Sequence, residues 1–149
     1  MIPVVNKFSL ENFLQGKRRE SVEKGSGCGC TCEGGKVLIF ACSGGSNAGQ
    51  IANMAAIKLD EEGCGRFYCL AGVGGGLTDM VESARSADKR VLIDGCPIGC
   101  GKAVFEREGL QADAYVVVTE LGIKKRHEFA FSDEEVEKVV AAVKEGLGR

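Results

Sequence analysis

A cysteine recurs at equal spacing along this chain, each time close to the end of a short run that is typical of a buried strand. Cys42, Cys69 and Cys96 lie 27 residues apart, and glycines follow each of them. This interval has room for one strand, one helix and the loops that join them. The repeat therefore predicts strand–helix units in succession, and such units form a parallel sheet.

The pattern of apolar residues supports this prediction. Four short runs rich in β-branched and aromatic residues predict strands at 37–41, 66–68, 90–93 and 114–118. Apolar residues at helical spacing lie between them, in segments 48–59, 77–84 and 102–108. Ser132 and Glu135 have the spacing of a capping box ahead of a last amphipathic helix. We therefore expect an α/β fold, a three-layer open parallel sheet of about four strands that is Rossmann-like or flavodoxin-like.

Residues 1–35 have a different composition, with charge and glycine but little apolar material to bury. We interpret them as an N-terminal arm, and residues 36–149 as the α/β domain. The arm carries a Cys-x-Cys-x-Cys tract of Cys28, Cys30 and Cys32. This tract is either a second thiol site or an exposed segment without a role of its own.

The overall composition excludes several classes of function. With 19 Lys and Arg against 21 Asp and Glu, the formal net charge is −2, so we expect no binding to nucleic acid through a basic surface. No apolar run is long enough to span a membrane and the first residues do not resemble a secretion signal, so we expect a cytoplasmic protein. In a reducing compartment, eight cysteines beside a single histidine indicate metal or redox chemistry rather than a disulfide scaffold.

The predicted sheet brings the recurring cysteines together, because parallel strands end at the same edge. Cys42, Cys69 and Cys96 then meet in the crevice that opens at the carboxyl edge if the first strand lies between the second and the third. Cys100 follows Cys96 after a turn with proline and glycine, and it completes a set of four thiolates. Four soft sulfur ligands suit Zn²⁺ or an iron–sulfur centre, whereas cations that prefer oxygen would not select them.

The motifs around these cysteines resemble those of the DGC-domain family, which is named for its Asp-Gly-Cys sequence. The similar motifs are Cys42-Ser43-Gly44-Gly45-Ser46-Asn47, Cys69-Leu70-Ala71-Gly72-Val73-Gly74 and Asp94-Gly95-Cys96-Pro97 with Cys100. The resemblance covers residues 37–143 and implies zinc binding through four cysteines, at Cys42, Cys69, Cys96 and Cys100. Zinc is then the expected cofactor and partner. The resemblance implies no particular activity, and it does not extend to the cysteine tract of the arm.

Two classes of function remain open. A closed four-cysteine site suits a structural, sensory or storage role of zinc, since it leaves no coordination position for a reactive water. A position in the ligand crevice favours instead a thiol-based redox enzyme, or a carrier of sulfur or metal, in which one cysteine is a nucleophile. Cys42 is the expected reactive thiol, because glycines and a helix follow it and a helix dipole favours the thiolate. Whether the protein is an enzyme is left open.

Other polar residues near the crevice carry weaker signals. Asp94 is expected either to orient a ligand or to accept main-chain N–H bonds in its turn. Lys102 and Glu120 either reach the crevice as charged groups or are solvated. Cys64 is expected to be structural, and His127, among basic neighbours, to lie on the surface.

Overall fold

The computed structural model describes residues 36–148, in which parallel strands alternate with helices. The strands are β1 (Val37–Ala41), β2 (Arg66–Phe67), β3 (Lys89–Asp94) and β4 (Ala114–Val117). The helices are α1 (Asn47–Glu61), α2 (Leu70–Gly74), α3 (Thr78–Arg85), α4 (Cys100–Arg107) and α5 (Asp133–Gly146), with a 3-10 turn at Val118–Leu121. The predicted arm with Cys28, Cys30 and Cys32 lies outside the described residues, so the domain boundary stays a prediction.

All strand pairs of the sheet are parallel, and the strand order is β2-β1-β3-β4. β1 therefore lies between β2 and β3, which is the order that opens a crevice where the direction of the connections reverses. β1 pairs with β3 along its whole length, from Val37 opposite Lys89 to Ala41 opposite Ile93. Because all four strands point the same way, the loops with the recurring cysteines begin at one edge.

Helices cover both faces of the sheet, which confirms the three layers. Successive residues of β1 point to opposite faces, so Ile39 packs with α1 and α5 whereas Phe40 packs with α2, α3 and α4. Phe40 contacts Tyr68 and Phe105 edge to face, with ring centroids 5.7 and 5.1 Å away. All five residues of β1 are buried. A strand covered on both sides therefore has an unbroken apolar run in the sequence rather than an alternating one.

The helix ends follow the sequence where its local signals are strong. Ser46 caps α1, and its hydroxyl accepts the N–H of Gly49 at 3.3 Å. Ser132 and Glu135 form the predicted capping box of α5, and the apolar face of that helix is buried. These contacts satisfy N–H groups that the first helical turn leaves without partners.

The larger differences from the prediction lie where glycines interrupt the apolar pattern. β2 has only two residues, and α2 follows it after Tyr68 and Cys69 without the apolar spacing that predicts a helix. Leu77, which we expected on a buried helix face, is the N-cap of α3 and is 57% exposed, because the chain turns at Gly76 with a φ of +70°. α4 begins at Cys100 rather than at Lys102. The predicted ligand Cys100 is therefore the first residue of a helix.

Candidate functional site

A cleft of about 870 Å³ opens at the carboxyl edge of the sheet, beside the ends of β1 and β2. Its walls are largely apolar and include Phe67 and Leu70. Three of the four predicted ligands, Cys42, Cys69 and Cys100, also line this cleft, and all three are free thiols. The fold thus collects thiols from three separate segments of the chain around one space.

Cys42 continues the path of β1 by one residue. Its main-chain N–H donates to the carbonyl of Ile93 at 2.9 Å, and the residue is half-buried. The loop turns closely around its side chain, since a Cβ on Gly44 would lie 3.3 Å from the Cys42 sulfur. Ser46 rather than Cys42 caps α1. Cys42 lies four positions before this cap, and its choice as the reactive thiol stays a prediction.

Cys69 and Cys100 each lie at the start of a helix, a position that the sequence suggested for Cys42. Cys69 is the N-cap of α2, and its sulfur accepts the N–H of Gly72 at 3.3 Å. A Cβ on Gly72 would meet the sulfur of Met80, so a larger residue there would need the Met80 side chain to shift. Cys100 is the first residue of α4. Both cysteines are exposed, and both thiols are therefore accessible to a reagent or a ligand.

A buried carboxylate holds the turn that joins β3 to α4. Asp94, the last residue of β3, is 1% exposed. Its Oδ1 accepts the N–H of Gly101 at 2.8 Å, and its Oδ2 accepts the N–H of Lys102 at 3.0 Å. The hydroxyl of Tyr115 donates to the same Oδ2 at 3.2 Å. The expectation that Asp94 accepts main-chain N–H bonds is confirmed, and the residue fixes the position at which α4 begins.

Tyr115 lies beside Asp94 at this edge, and its pKa is shifted. Burial of its hydroxyl and the adjacent Asp94 carboxylate raise the pKa of Tyr115 to about 12. Glu120 and Cys96 act on the pKa of Tyr115 in the same direction. Burial and the neighbouring carboxylate therefore both favour the neutral form of the Tyr115 hydroxyl.

The fourth predicted ligand, Cys96, lies apart from the other three. It is half-buried, and it is not among the described residues that line the cleft. Its sulfur accepts a hydrogen bond from Nζ of Lys125 at 3.3 Å. Lys125 belongs to the basic loop, residues 124–127, which precedes α5. A cation from a distant part of the chain is thus in contact with the cysteine of the Asp-Gly-Cys sequence.

The side chain of Asn47 attaches the basic loop to the first turn of α1. Asn47 is fully buried, and its Nδ2 donates to the Lys124 carbonyl at 3.0 Å. Its Oδ1 accepts the N–H of Arg126 at 2.6 Å, and its own main-chain N–H donates to the Arg126 carbonyl at 3.2 Å. His127 is exposed as predicted, and its Nδ1 lies 3.1 Å from the carbonyl oxygen of Gly45. The basic loop therefore packs on the loop that follows β1.

The remaining predicted residues lie outside the cleft. Lys102 pairs with Glu106 on the exposed surface of α4, with 3.9 Å between their charged atoms. Glu120 is exposed in the 3-10 turn after β4. Cys64 is fully buried in the core with α1 and α5, which agrees with a structural role. Within residues 36–148, no helix is long and apolar enough to cross a membrane.

The donor atoms at this edge fit a soft metal, although they do not form a preformed cage. Within the described part of the chain, no three His, Cys, Asp or Glu side chains stand together as a group that could hold a metal ion. Thiols from three segments nevertheless line one cleft, and the oxygens of Asp94 are already occupied by hydrogen bonds. The available ligands are therefore sulfur atoms, which suit Zn²⁺ better than cations that prefer oxygen.

The contacts of Asn47 and Lys125 are not predicted from the sequence. Lys125 is one of three consecutive basic residues, a pattern that is typical of a solvated surface. Asn47 follows a serine cap, where a polar residue needs no further explanation. Its complete burial is the signal that would have indicated a second role, and burial is known only once the fold is known.

Comparison with known proteins supports a specific family. A family model described as the DGC domain matches residues 38–143, which include all four predicted ligands. The anaerobic and virulence modulator AnvM of Pseudomonas aeruginosa is 39% identical over 90 residues, which make up 60% of this chain and 69% of that protein. No solved structure matches the chain.

Proposed function

Because this chain belongs to the DGC-domain family, we propose that it is a metal-binding protein whose metal is Zn²⁺ and whose ligands are Cys42, Cys69, Cys96 and Cys100. The observation that carries the proposal is the single cleft lined by three of these thiols. The cleft lies at the edge where open parallel sheets bind their ligands. The proposed partner is thus a metal ion rather than nucleic acid, in keeping with the formal charge of −2.

The chemistry of the donor set favours zinc in a closed site. Zn²⁺ binds four thiolates in tetrahedral geometry, with Zn–S distances of about 2.3 Å. Each ligand loses its proton on binding, so metal uptake releases protons and depends on pH. Four protein ligands leave no position for a reactive water. A structural, sensory or storage role of the metal is therefore favoured over hydrolysis.

Zinc has to draw these thiolates together, because no three potential ligands within residues 36–148 form a ready-made group. The positions involved are a loop residue, the cap of a short helix, a turn residue and the start of α4. Such positions move at lower cost than the interior of a strand. We therefore expect metal binding to order this edge and to add its free energy to the stability of the fold.

A second function is favoured by the surroundings of Cys69. Its sulfur accepts the N–H of Gly72 at 3.3 Å and is exposed beside the cleft. An exposed sulfur that accepts a main-chain N–H is in a setting that suits a thiolate nucleophile. This candidate is a thiol-based redox enzyme, or a carrier of sulfur or metal, in which one of the four cysteines reacts. It uses the same residues as the zinc proposal but requires one of them to be available.

Metal analysis of the reduced protein tests the zinc proposal. We expect about one tightly held Zn²⁺ per chain, lost in each of the four single Cys→Ser variants at the proposed ligands. The matched control replaces Cys28, Cys30 and Cys32 together with serine, and it should keep its zinc. Full metal content after Cys69→Ser and Cys96→Ser, or loss of zinc in the control alone, would contradict the proposal.

Alkylation of the native, zinc-loaded protein separates the two functions. Under the zinc proposal all four ligands stay unlabelled until a chelator is added, as measured by mass spectrometry of the digested chain. Under the second proposal one of them, with Cys69 and Cys42 as candidates, is labelled while zinc remains bound.

A further inference from the structure

The contact between Lys125 and Cys96 joins residues from two different loops. Nζ of Lys125 lies 3.3 Å from the sulfur of Cys96, the one proposed ligand that does not line the cleft within the described residues. An exposed lysine side chain on a free loop would have no reason to keep this position, because holding it costs side-chain entropy. What makes the contact specific is the way in which the main chain of the loop is held.

The clamp by Asn47 fixes the chain on both sides of Lys125. One end of the Asn47 amide bonds to Lys124 and the other to Arg126, at 3.0 and 2.6 Å. Asn47 is itself buried at the start of α1, so the clamp is attached to the core of the fold. The main chain of Lys125, between the two anchored positions, is thereby held where its side chain reaches Cys96.

With zinc bound as proposed, the charge at this edge favours a neighbouring cation. Zn²⁺ with four thiolates carries a net charge of −2, and the buried Asp94 and the exposed Glu120 add negative charge on the same side. Lys125 is the cation in contact with one of the proposed ligands. An N–H that donates to a metal-bound sulfur both orients the ligand and spreads its negative charge.

We propose that Lys125 is a positioning residue of the metal centre, which holds Cys96 and offsets the negative charge of the four thiolates, and that Asn47 makes the basic loop part of this centre. The inference rests on the proposed zinc function and adds to it a residue outside the ligand set. The ammonium donates to the sulfur of Cys96 and does not bind the metal itself.

Zinc affinity measured by competition with a chromophoric chelator tests the role of the charge. Replacing a group that supports a metal ligand typically lowers affinity 10–100-fold, and we expect a loss in this range for Lys125→Met. Lys125→Arg keeps the charge and should recover most of the affinity. Lys89→Met removes one equal charge at the opposite edge of the sheet and should bind like the unmodified chain. Equal or tighter binding by Lys125→Met overturns the inference.

A second readout tests the contact without any metal. Phthalaldehyde condenses with a primary amine and a thiol that lie side by side, releasing two waters and leaving a fluorescent isoindole that links them. In the reduced, metal-free chain we expect this link between Lys125 and Cys96, located by mass spectrometry and absent in Lys125→Met. A link from Cys96 to another lysine, or no link, overturns the contact. Absence of zinc from the unmodified chain is a different result, which overturns the proposed function and this inference with it.

Discussion

Replacing Asp94 with asparagine should destabilise the fold through the turn between β3 and α4. The two side chains have the same size, so the change is one of charge and hydrogen bonding. The amide oxygen can still accept the N–H of Gly101 in place of Oδ1, now 2.8 Å away. The amide nitrogen then faces the N–H of Lys102, which Oδ2 accepts at 3.0 Å in the unmodified protein. One charge-assisted bond is thus lost and another becomes a bond to a neutral group.

The cost of this change follows from the strength of such bonds. A hydrogen bond to a charged group contributes about 1.5–3 kcal/mol and one to a neutral group about 1 kcal/mol. Asp94→Asn removes one bond to a charged group and turns a second into a bond to a neutral group, so the expected loss is about 2–5 kcal/mol. The matched control is Tyr115→Phe, which removes only the third donor, at 3.2 Å on a residue that is 41% exposed. We expect the control to cost no more than about 1 kcal/mol.

Urea unfolding of the reduced protein in the presence of a chelator, followed by circular dichroism, measures these differences. The midpoint should fall for Asp94→Asn while the dependence on urea stays unchanged, which indicates a loss of stability without a change in the surface exposed on unfolding. A loss below about 0.5 kcal/mol, the range of an ordinary surface substitution, would refute the role assigned to Asp94. So would a larger loss in Tyr115→Phe than in Asp94→Asn.

Three further predictions follow from other contacts. Because the folded-state pKa of Tyr115 is raised to about 12, above its ordinary value of 10.0, its contribution to stability is complete below pH 10 and disappears as the pH rises through 12. An ultraviolet titration should show this late ionisation, and its persistence in Tyr115→Phe would contradict the assignment. Asn47→Ala removes the clamp of the basic loop and should cost about 1–3 kcal/mol. It should also speed hydrogen exchange at the Arg126 amide; unchanged exchange would show that the loop is held by other contacts. Gly49→Ala should cost about 1–3 kcal/mol, since its Cβ would lie 2.7 Å from main-chain atoms of the loop after β1. Gly45→Ala, where a Cβ meets nothing within 4 Å, is its control, and equal urea midpoints for the two variants would disprove the close packing.

Local signals in the sequence were sufficient for most of the secondary structure. The unbroken apolar run of β1 indicates a strand covered on both faces, and its five residues are all buried. The capping box at Ser132 and Glu135 marks the start of α5, because each residue satisfies an N–H within the same turn. Such interactions join residues three or four positions apart, so they can be read from spacing alone. α2 was not predicted, because its glycines leave no apolar residues at helical spacing and its N-cap is a cysteine.

The position of the candidate site was predictable for a similar reason. Strand–helix repeats make the sheet parallel, and a parallel sheet brings the loops after its strands to one edge. Cys42 and Cys69 therefore line the same cleft although 27 residues separate them. The four-cysteine ligand set and the identity of the metal stay predictions, because periodicity locates a segment but does not specify the direction of a side chain.

The distant contacts of this edge were decided by the tertiary structure. Asn47 bonds to residues 77 and 79 positions further along the chain, and Lys125 meets Cys96 across 29 positions. No spacing in the sequence relates these residues, because they meet only after α1 and α5 have packed on the same face of the sheet. Nor does the sequence show that Cys96 lies apart from the cleft, since that depends on where the turn after β3 is held by Asp94. Helices and strands are determined by local hydrogen bonds and by the spacing of apolar residues. The partners of a side chain are determined by how the helices and strands pack together.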